Sequence, residues 1–362
     1  MINYNKYFLR GLAVQEINLS NLSKNYNILS KLSKPGIASA VIKANAYGCG
    51  LKETGKNLLK DGCKLFFVAK IDEGIELRKF LSKKSKIAVF DGYLDYQDNL
   101  WKEHDLIPVC NTVEQAELAS KNNILFMLHI DTGMNRLGLS TKEAEILMKD
   151  KSKLNSNNLI LIISHFVCSD NKESRYNNFQ IKEFRNFDNF HPEVKRSIAN
   201  SHGIFLGSNA VFDITRPGIA LYGYINNKNY KLFPTVNLYA PILQIREPNI
   251  GETVGYDATY KINKNSTLGI LGLGYADGLK RCIGSRKKLS LGEYKIPILG
   301  RVSMDTIIVD FSKIPQSILD TINHIPLIDD CYGISDLAKD CDTIPYEILT
   351  SFGNRIKKVY VY

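Results

Sequence analysis

The sequence contains no apolar stretch long enough to cross a membrane, because no run approaches the roughly 18 apolar residues that a spanning helix needs. Residues 1–14 lack the apolar segment of a secretory signal peptide. Internal repeats and low-complexity segments are missing as well. We therefore expect a soluble, cytoplasmic globular protein with no membrane partner.

The spacings typical of metal sites and disulfide frameworks are also missing. The seven cysteines form no C-x-x-C pair, and the six histidines are dispersed with none at an i, i+4 spacing. An odd number of cysteines leaves at least one thiol that cannot pair within the chain. Reduced thiols and the absence of a metal are therefore expected.

Positive charge is abundant but is not concentrated on one segment. The 47 basic and 37 acidic residues give a formal net charge of +10, carried mainly by scattered lysines. A nucleic-acid footprint concentrates such charge on one element, so a solvated surface is the preferred interpretation. No nucleic-acid partner is expected, and small anionic substrates remain compatible with this charge.

Short apolar runs alternate with helix-like stretches in the first two thirds of the chain. The runs cover residues 36–42, 64–69, 86–90, 106–109, 124–130, 159–164, 194–200 and 211–215. Helical spacing is found over residues 19–32, 114–119 and 143–148. Eight strands alternating with helices predict an α/β fold, a (β/α)₈ TIM-like barrel, with an open doubly wound sheet as the rival. The number of strands favours the barrel.

The pattern changes after residue 232, where strand-like runs follow one another with glycine-containing turns between them. The predicted strands cover residues 238–245, 253–256, 268–273, 288–291, 294–299 and 302–309. This predicts a C-terminal, mainly β domain over residues 236–362 and a barrel over residues 14–235. Residues 1–13 are expected to form an N-terminal strand that packs with the β domain.

Polar residues follow the predicted barrel strands at the end where barrel enzymes place their active groups. Lys43 follows the first run beside small residues, and is either a strand-end charge in water or an amine with space for a flat ligand. Further along the chain lie Arg136, His165, Ser201 and Arg216. The set lacks the paired carboxylates of glycosidases and the carboxylate cage of a magnesium site.

A phosphate pocket is predicted where Ser201 lies near the backbone amides of Gly218 and Ile219. A phosphorylated cofactor combined with a lysine predicts pyridoxal 5'-phosphate.

Seven stretches in order along the chain resemble the bacterial alanine racemase family. They are residues 41–50 (VIKANAYGCG), 130–138 (IDTGMNRLG), 198–201 (IANS), 216–219 (RPGI) with 222–223 (YG), 254–256 (VGY) with 258–260 (ATY), 274–278 (GYADG) and 300–305 (GRVSMD). The resemblance covers both predicted domains. It implies a pyridoxal-phosphate-dependent isomerase that interconverts L- and D-alanine and supplies D-alanine for peptidoglycan. It also implies a head-to-tail homodimer whose active sites are completed by the partner's β domain.

The resemblance implies two catalytic bases, one for each face of the substrate α-carbon. Lys43 would bind the cofactor as a Schiff base and serve one face, and Tyr256 of the partner subunit would serve the other. Since a free tyrosine titrates near ~10, a neighbouring group must favour its phenolate. His165, between Tyr256 and Arg216 in enzymes of this type, would transmit that influence. Arg216 would face the pyridine nitrogen and, being always charged, would discourage its protonation.

The remaining implied roles concern binding. The groups that would hold the cofactor phosphate are Tyr47, Ser201, the amides of Gly218 and Ile219, and Tyr346. Arg136 would contact the cofactor phenolic oxygen and the substrate carboxylate, which the Met304 amide would also contact. Tyr275, contributed by the partner subunit, would narrow the entrance to the active site.

Four positions depart from the family pattern. Many members have a lysine, often carbamylated, where this chain has His129, and a neutral imidazole cannot supply that negative charge to Arg136. Arg136 is then either held less firmly or supported by an anion such as chloride, which a bromide peak beside it in crystals would reveal. Cys49, His202 and Asp257 are the other departures. They affect fine geometry and turnover rather than the choice of cofactor.

Three other functions remain open from the sequence. A racemase with broader specificity, toward serine for example, differs only in small details of packing. A barrel-type amino-acid decarboxylase shares the architecture but has different second-domain motifs. A non-catalytic pyridoxal-phosphate-binding barrel would end near residue 235, which the β domain with Tyr256 argues against.

Overall fold

The computed structural model describes residues 11–94, 98–150, 153–188, 193–225, 227, 229–284 and 288–362. The chain forms two compact units. The barrel unit consists of Leu22–Ala46 and Gly50–Phe233, and the β unit contains residues 11–21, Tyr47–Cys49 and Pro234–Tyr362. The N-terminal strand predicted over residues 1–13 falls mostly on residues 1–10, which lie outside the described residues.

The strands and helices are as follows. In chain order the strands are β1 (Val14–Asn18), β2 (Ile37–Ala38), β3 (Ala40–Val41), β4 (Leu65–Val68), β5 (Lys86–Val89), β6 (Leu106–Cys110), β7 (Phe126–Asp131), β8 (Leu139–Ser140), β9 (Leu159–Ile163), β10 (Lys195–Ser197), β11 (Ile214–Thr215), β12 (Val236–Arg246), β13 (Thr253–Val254), β14 (Tyr260–Lys261), β15 (Leu268–Leu271), β16 (Lys288–Leu291), β17 (Tyr294–Leu299), β18 (Ile307–Asp310), β19 (His324–Ile328) and β20 (Lys357–Val361). The right-handed helices are α1 (Leu19–Leu32), α2 (Leu51–Lys60), α3 (Ile71–Arg78), α4 (Asp98–Glu103), α5 (Val113–Lys121), α6 (Thr141–Lys149), α7 (Arg175–Arg185), α8 (Gln316–Leu319), α9 (Ile334–Asp340) and α10 (Pro345–Ser351).

The strands of the barrel unit are parallel and close on themselves. Pairing runs through β3, β4, β5, β6, β7, β9 and β10, while β11 pairs with β2. Strands β2 and β3 are two halves of one strand interrupted at Ser39, whose hydroxyl donates to the Thr215 carbonyl over 2.7 Å. The Arg216 N–H donates to the Ala199 carbonyl over 2.9 Å, which links the segments after β10 and β11. The predicted barrel is therefore confirmed, and an open doubly wound sheet is excluded.

Capping residues explain where several barrel helices begin. Thr112, Ser140 and Ser174 accept backbone N–H groups at the starts of α5, α6 and α7. Glu143 at the third position of α6 returns a bond to the Ser140 N–H over 2.9 Å, which completes a capping box. Side-chain acceptors at these positions satisfy amides that the helix leaves without partners.

The β unit contains one large sheet and a small hairpin. The sheet order is β16, β17, β18, β15, β12, β1 and β20, with β19 also paired to β12, and β13 pairs with β14. The mainly β character predicted for this domain is confirmed. Strand β1 pairs antiparallel with β12 and parallel with β20, so Val14–Asn18 belongs to this sheet.

Three findings bear on the expectations from composition. Among the described residues, no helix combines the length and apolar content that crossing a bilayer requires. All seven cysteines are free thiols. No metal-binding group of acidic, histidine and cysteine side chains is found in the described part of the chain.

Candidate active site

Lys43 begins a short left-handed turn directly after β3. Its successors Ala44, Asn45, Ala46 and Tyr47 have φ of 52°, 53°, 56° and 53°. Left-handed helical backbone costs roughly 1–2 kcal/mol for each L-residue, so four in succession need support from outside the turn. Such strain is frequently stored beside functional groups.

The electrostatic surroundings of Lys43 favour its neutral amine. The side chain is half-buried and its Nζ lies 5.8 Å from the centre of the Phe90 ring. Burial lowers the pKa of Lys43, and the nearby charge of Arg136 acts in the same direction, while Glu73 oppositely favours the ammonium. A lowered pKa increases the fraction of amine able to act as nucleophile or base.

The buried Arg216 lies beside the half-buried His165 inside the barrel unit. The Arg216 guanidinium donates to the Ser197 carbonyl over 2.8 Å, to the Ser197 hydroxyl over 2.5 Å and to the Ser164 carbonyl. It lies 3.4 Å from Nδ1 of His165, which must be the acceptor because a guanidinium has only donors. Burial and the neighbouring Arg216 charge lower the pKa of His165, so its imidazole is neutral near pH 7.

Ser201 lies where backbone amides converge. Its hydroxyl oxygen accepts the Gly218 N–H over 2.8 Å and the Ala220 N–H over 3.2 Å. Ile219 starts a short 3₁₀ helix, and the hydrogen bond to Ser201 comes from the amide one residue beyond it. Amides that point to one spot are the construction that proteins use to bind phosphate.

Arg136 lies in an exposed loop after β7 that Asp131 shapes. One Asp131 carboxylate oxygen accepts the N–H groups of Gly133 and Met134, each over 2.7 Å. The Tyr176 hydroxyl donates to the Gly133 carbonyl over 3.0 Å and fixes the outer side of the loop. Arg136 is exposed, and its charge influences Lys43, His129 and His165.

His129 is held in one tautomer by Asn111. The Asn111 amide nitrogen donates to the carbonyls of Phe90 and Val109 over 2.8 and 3.1 Å, so its oxygen faces His129 Nδ1 at 2.8 Å. Nδ1 therefore carries the proton, and Nε2 is the acceptor nitrogen of the neutral ring. Burial, with Arg216 adding to it, lowers the pKa of His129 to about 4. The imidazole is thus neutral near pH 7 and brings no negative charge to Arg136.

This burial predicts a pH-dependent contribution to stability. As the pH falls, an imidazole whose pKa is lowered by folding is protonated in the unfolded chain before it is protonated in the folded one. The free energy of unfolding therefore decreases below about pH 6.5, the ordinary pKa of histidine, and levels off below about pH 4. Between pH 7.5 and 5 the loss assigned to His129 is about 2 kcal/mol. Urea unfolding of wild type and His129→Asn at both pH values measures it, because other groups cancel in the difference. Equal pH dependence in the two proteins would contradict the assignment.

In the β unit, Tyr47 and Tyr346 are neighbours. Their ring centres lie 6.0 Å apart, and burial raises the pKa of the Tyr47 hydroxyl, which stays protonated. Gly48 follows with φ 78°, and a Cβ there would lie 2.3 Å from the Leu349 carbonyl oxygen of α10. Only glycine allows this close approach. Cys49 is buried, which raises the pKa of its thiol to about 12.

Tyr256 lies in the turn between β13 and β14 and is 67% exposed. The next residue, Asp257, has φ 59° and forms an ion pair with Arg301. Aspartate tolerates left-handed backbone better than most residues, which suits it to this position. The ion pair connects the Tyr256 turn to the segment that leads to Met304.

Tyr275 and Met304 are brought together by backbone hydrogen bonds. The Tyr275 N–H donates to the Ser303 carbonyl over 3.1 Å, and the Ala276 N–H donates to the Met304 carbonyl over 3.0 Å. Tyr275 is 42% exposed and Met304 is 52% exposed. A Cβ on Gly274 would lie 2.2 Å from the Met304 carbonyl oxygen, so glycine permits this contact.

The residues predicted from sequence therefore fall into two groups. The barrel unit holds Lys43, Arg136, His165, Ser201, Arg216, Gly218 and Ile219, and the β unit holds Tyr47, Tyr256, Tyr275, Met304 and Tyr346. Sequence reasoning missed Glu73, Asn111 and Gln180. Glu73 had a signal, since an acidic residue opens the helix after β4. Gln180, which donates to the His165 carbonyl over 2.9 Å, had none.

Comparison with known proteins gives the same family over both units. Residues 17–226 match the profile of the alanine racemase N-terminal domain, and residues 235–360 match that of the C-terminal domain. The alanine racemase of Rickettsia canadensis (strain McKiel) is 36% identical over 356 residues, covering 97% of this chain and 99% of that protein. That of Brucella abortus (strain 2308) is 35% identical over 367 residues, covering 96% and 93%.

Solved structures similar to this chain come from the same family. A crystal structure of alanine racemase from Bartonella henselae with covalently bound pyridoxal phosphate has a TM-score of 0.88 and 34% identity, covering 97% of this chain and 99% of that chain. The biosynthetic alanine racemase of Pseudomonas aeruginosa has a TM-score of 0.85 and 29% identity, covering 98% and 100%. The chain accordingly belongs to the alanine racemase family and is an isomerase of that family.

Proposed function

We propose that this protein interconverts L-alanine and D-alanine with bound pyridoxal 5'-phosphate, in the cytoplasm, and supplies D-alanine for peptidoglycan. The single observation that carries the proposal is Lys43, a half-buried amine of lowered pKa at the carboxyl end of a barrel strand. Barrel enzymes place their reacting groups at that end of their strands.

The donor set of the barrel unit fits this cofactor. The Ser201 hydroxyl oxygen accepts the Gly218 and Ala220 amides, so its hydrogen can be donated to a phosphate, and the proposed phosphate site includes the backbone amides of Gly218 and Ile219. Lys43 suits an aldehyde. Arg216 is buried, and its two terminal nitrogens donate to Ser197 and to the Ser164 carbonyl, so the guanidinium is held in place. A guanidinium keeps its proton near neutral pH and so does not protonate a neighbouring ring nitrogen. Tyr47 and Tyr346 add hydroxyl groups for the phosphate.

Each residue has a distinct task in the proposed reaction. When bound, the cofactor withdraws electrons from the substrate α-carbon and so makes its proton acidic. Lys43, as a neutral amine, accepts that proton on one face, and Tyr256 holds or accepts it on the other. Arg136 binds the substrate carboxylate, which the Met304 amide also contacts. Tyr275 restricts access and limits exchange with water.

The proposal includes a homodimer with shared active sites, in which Tyr256 of the partner subunit serves the second face. The 67% exposure of Tyr256 and the exposure of Tyr275 and Met304 support this, because these side chains are available to a second copy. Two bases are needed because a single base on one face returns the proton to the side from which it came.

A substrate panel tests the proposal directly. Purified protein with and without added pyridoxal 5'-phosphate is incubated with individual L-amino acids, and the products are separated by chiral chromatography. We expect cofactor-dependent formation of D-alanine. Faster conversion of serine than alanine would indicate the broader racemase, and absence of any D-amino acid from a protein that binds the cofactor would refute the proposal.

A further inference from the structure

The left-handed turn after Lys43 needs hydrogen-bond acceptors from another part of the barrel unit. The first N–H groups of any helical turn have no partner within that turn. Within the turn, the Ala46 N–H donates to the Ile42 carbonyl over 2.9 Å, and this bond leaves the earlier amides of Ala44 and Asn45 to be satisfied elsewhere. The turn is therefore stable only if a neighbouring segment supplies an acceptor.

Glu73 supplies that acceptor. Its Oε1 accepts the N–H groups of Ala44 and Asn45 over 2.5 and 3.4 Å. Its Oε2 accepts the N–H groups of Ala69 and Lys70 over 2.8 and 3.2 Å. One carboxylate thus connects the turn after β3 to the end of β4 and the start of α3.

The position of Glu73 follows from the barrel topology. Strands β3 and β4 are parallel neighbours, so the segments after them lie side by side at the same end of the barrel. Glu73 is the third residue of α3, where a carboxylate normally returns to the N-cap amide, and it does so here with one oxygen. The second oxygen is then free to bind the neighbouring turn, and hydrogen bonds to a charged acceptor are stronger than neutral ones.

We propose that Glu73 is a positioning residue that holds the strained turn after Lys43 and so sets where the Lys43 amine is presented. The assignment rests on the proposed function of Lys43 and deepens it. Glu73 also favours the protonated form of Lys43, which opposes the influence of Arg136. Losing the carboxylate therefore changes both the placement and the proton affinity of the amine.

The test compares Glu73→Gln and Glu73→Ala with the matched control Glu76→Gln. Glu76 lies on the same helix and forms an exposed ion pair with Lys79. In the cofactor-free protein, hydrogen exchange of a peptide covering residues 42–51 reports on the turn. Pyridoxal 5'-phosphate is then added, and the rate at which borohydride traps it on Lys43 is followed by mass spectrometry.

We expect about tenfold faster exchange in residues 42–51 and about tenfold slower trapping in both Glu73 variants, with neither change in the control. Glu73→Gln keeps one acceptor and the side-chain shape, so it covers the case in which Glu73→Ala does not fold. Unchanged exchange overturns the proposal, and so does faster exchange with unchanged trapping. If wild-type protein is not trapped on Lys43, the proposed function fails, and the exchange measurement still decides whether Glu73 holds the turn.

Discussion

Replacing Lys43 with alanine is expected to abolish both racemisation and the absorbance near ~420 nm that a lysine-bound pyridoxal cofactor gives. Lys43 is the amine in the barrel unit whose burial and neighbouring Arg136 charge favour the neutral, reactive form. Without it, the cofactor has no covalent attachment and one face of the substrate has no base. Activity should fall by at least about a thousandfold, since two functions are lost together.

The measurement is an absorbance spectrum of the purified variant after addition of pyridoxal 5'-phosphate, followed by the chiral assay. Lys52→Ala is a suitable control because Lys52 lies on α2, and its exposed ammonium pairs with Glu53 at 3.6 Å. It should keep both spectrum and activity. Retention of the absorbance band near ~420 nm by Lys43→Ala would show that another lysine binds the cofactor.

Replacing Tyr256 with phenylalanine is expected to suppress removal of the L-alanine α-proton far more than removal of the D-alanine α-proton. The change deletes one hydroxyl and keeps the ring, and loss of a general base typically costs about 10²- to 10⁴-fold. Net racemisation must slow in both directions, because one equilibrium constant relates them. The diagnostic quantity is therefore deuterium incorporation from D₂O into recovered substrate of unchanged configuration.

We expect the Tyr256 variant to exchange the D-alanine proton through Lys43 while exchange into L-alanine is nearly lost. Tyr260→Phe is the control, since Tyr260 lies in the same hairpin and packs against the cluster around Val254 and Ile262. Equal losses of exchange from both enantiomers would contradict the assignment of one base to each face.

The same variants test whether sites are shared between subunits. The inactive Lys43→Ala and Tyr256→Phe proteins are mixed so that their subunits exchange between dimers. If Tyr256 of the partner subunit completes each site, the mixed dimers have one intact site. Activity should then reappear. A mixture that stays inactive, although mass spectrometry shows mixed dimers, would place both bases on one chain.

Local sequence was sufficient for most of the fold. Each of the eight apolar runs contains barrel strands, and β16 and β17 begin and end at the residues predicted, because buried strands and tight turns have strong local signals. The run over residues 302–309 was less accurate, since β18 begins only at Ile307. The preceding residues form a turn that is closed locally by the Ser303 N–H donating to the Thr306 carbonyl. Tyr275 and Ala276, from a distant segment, also donate N–H groups to this turn.

The sequence by itself determined the family, the chemistry of the residues after each strand, and Lys43 as their centre. It could not determine the left-handed turn after Lys43, because Ala44, Ala46 and Tyr47 disfavour that conformation and a single asparagine between them is too weak a signal. The turn depends on Glu73, which lies 29 residues from Ala44 along the chain and reaches it only through the pairing of β3 with β4.

Tertiary structure also decided the charge states. His129 and His165 are ordinary imidazoles in sequence, and both are neutral in the fold because burial and the arginine charges lower the pKa of each. Residue type sets which proton a side chain can exchange. Desolvation and distant charges set whether it does so near neutral pH, and only the folded chain brings those influences together.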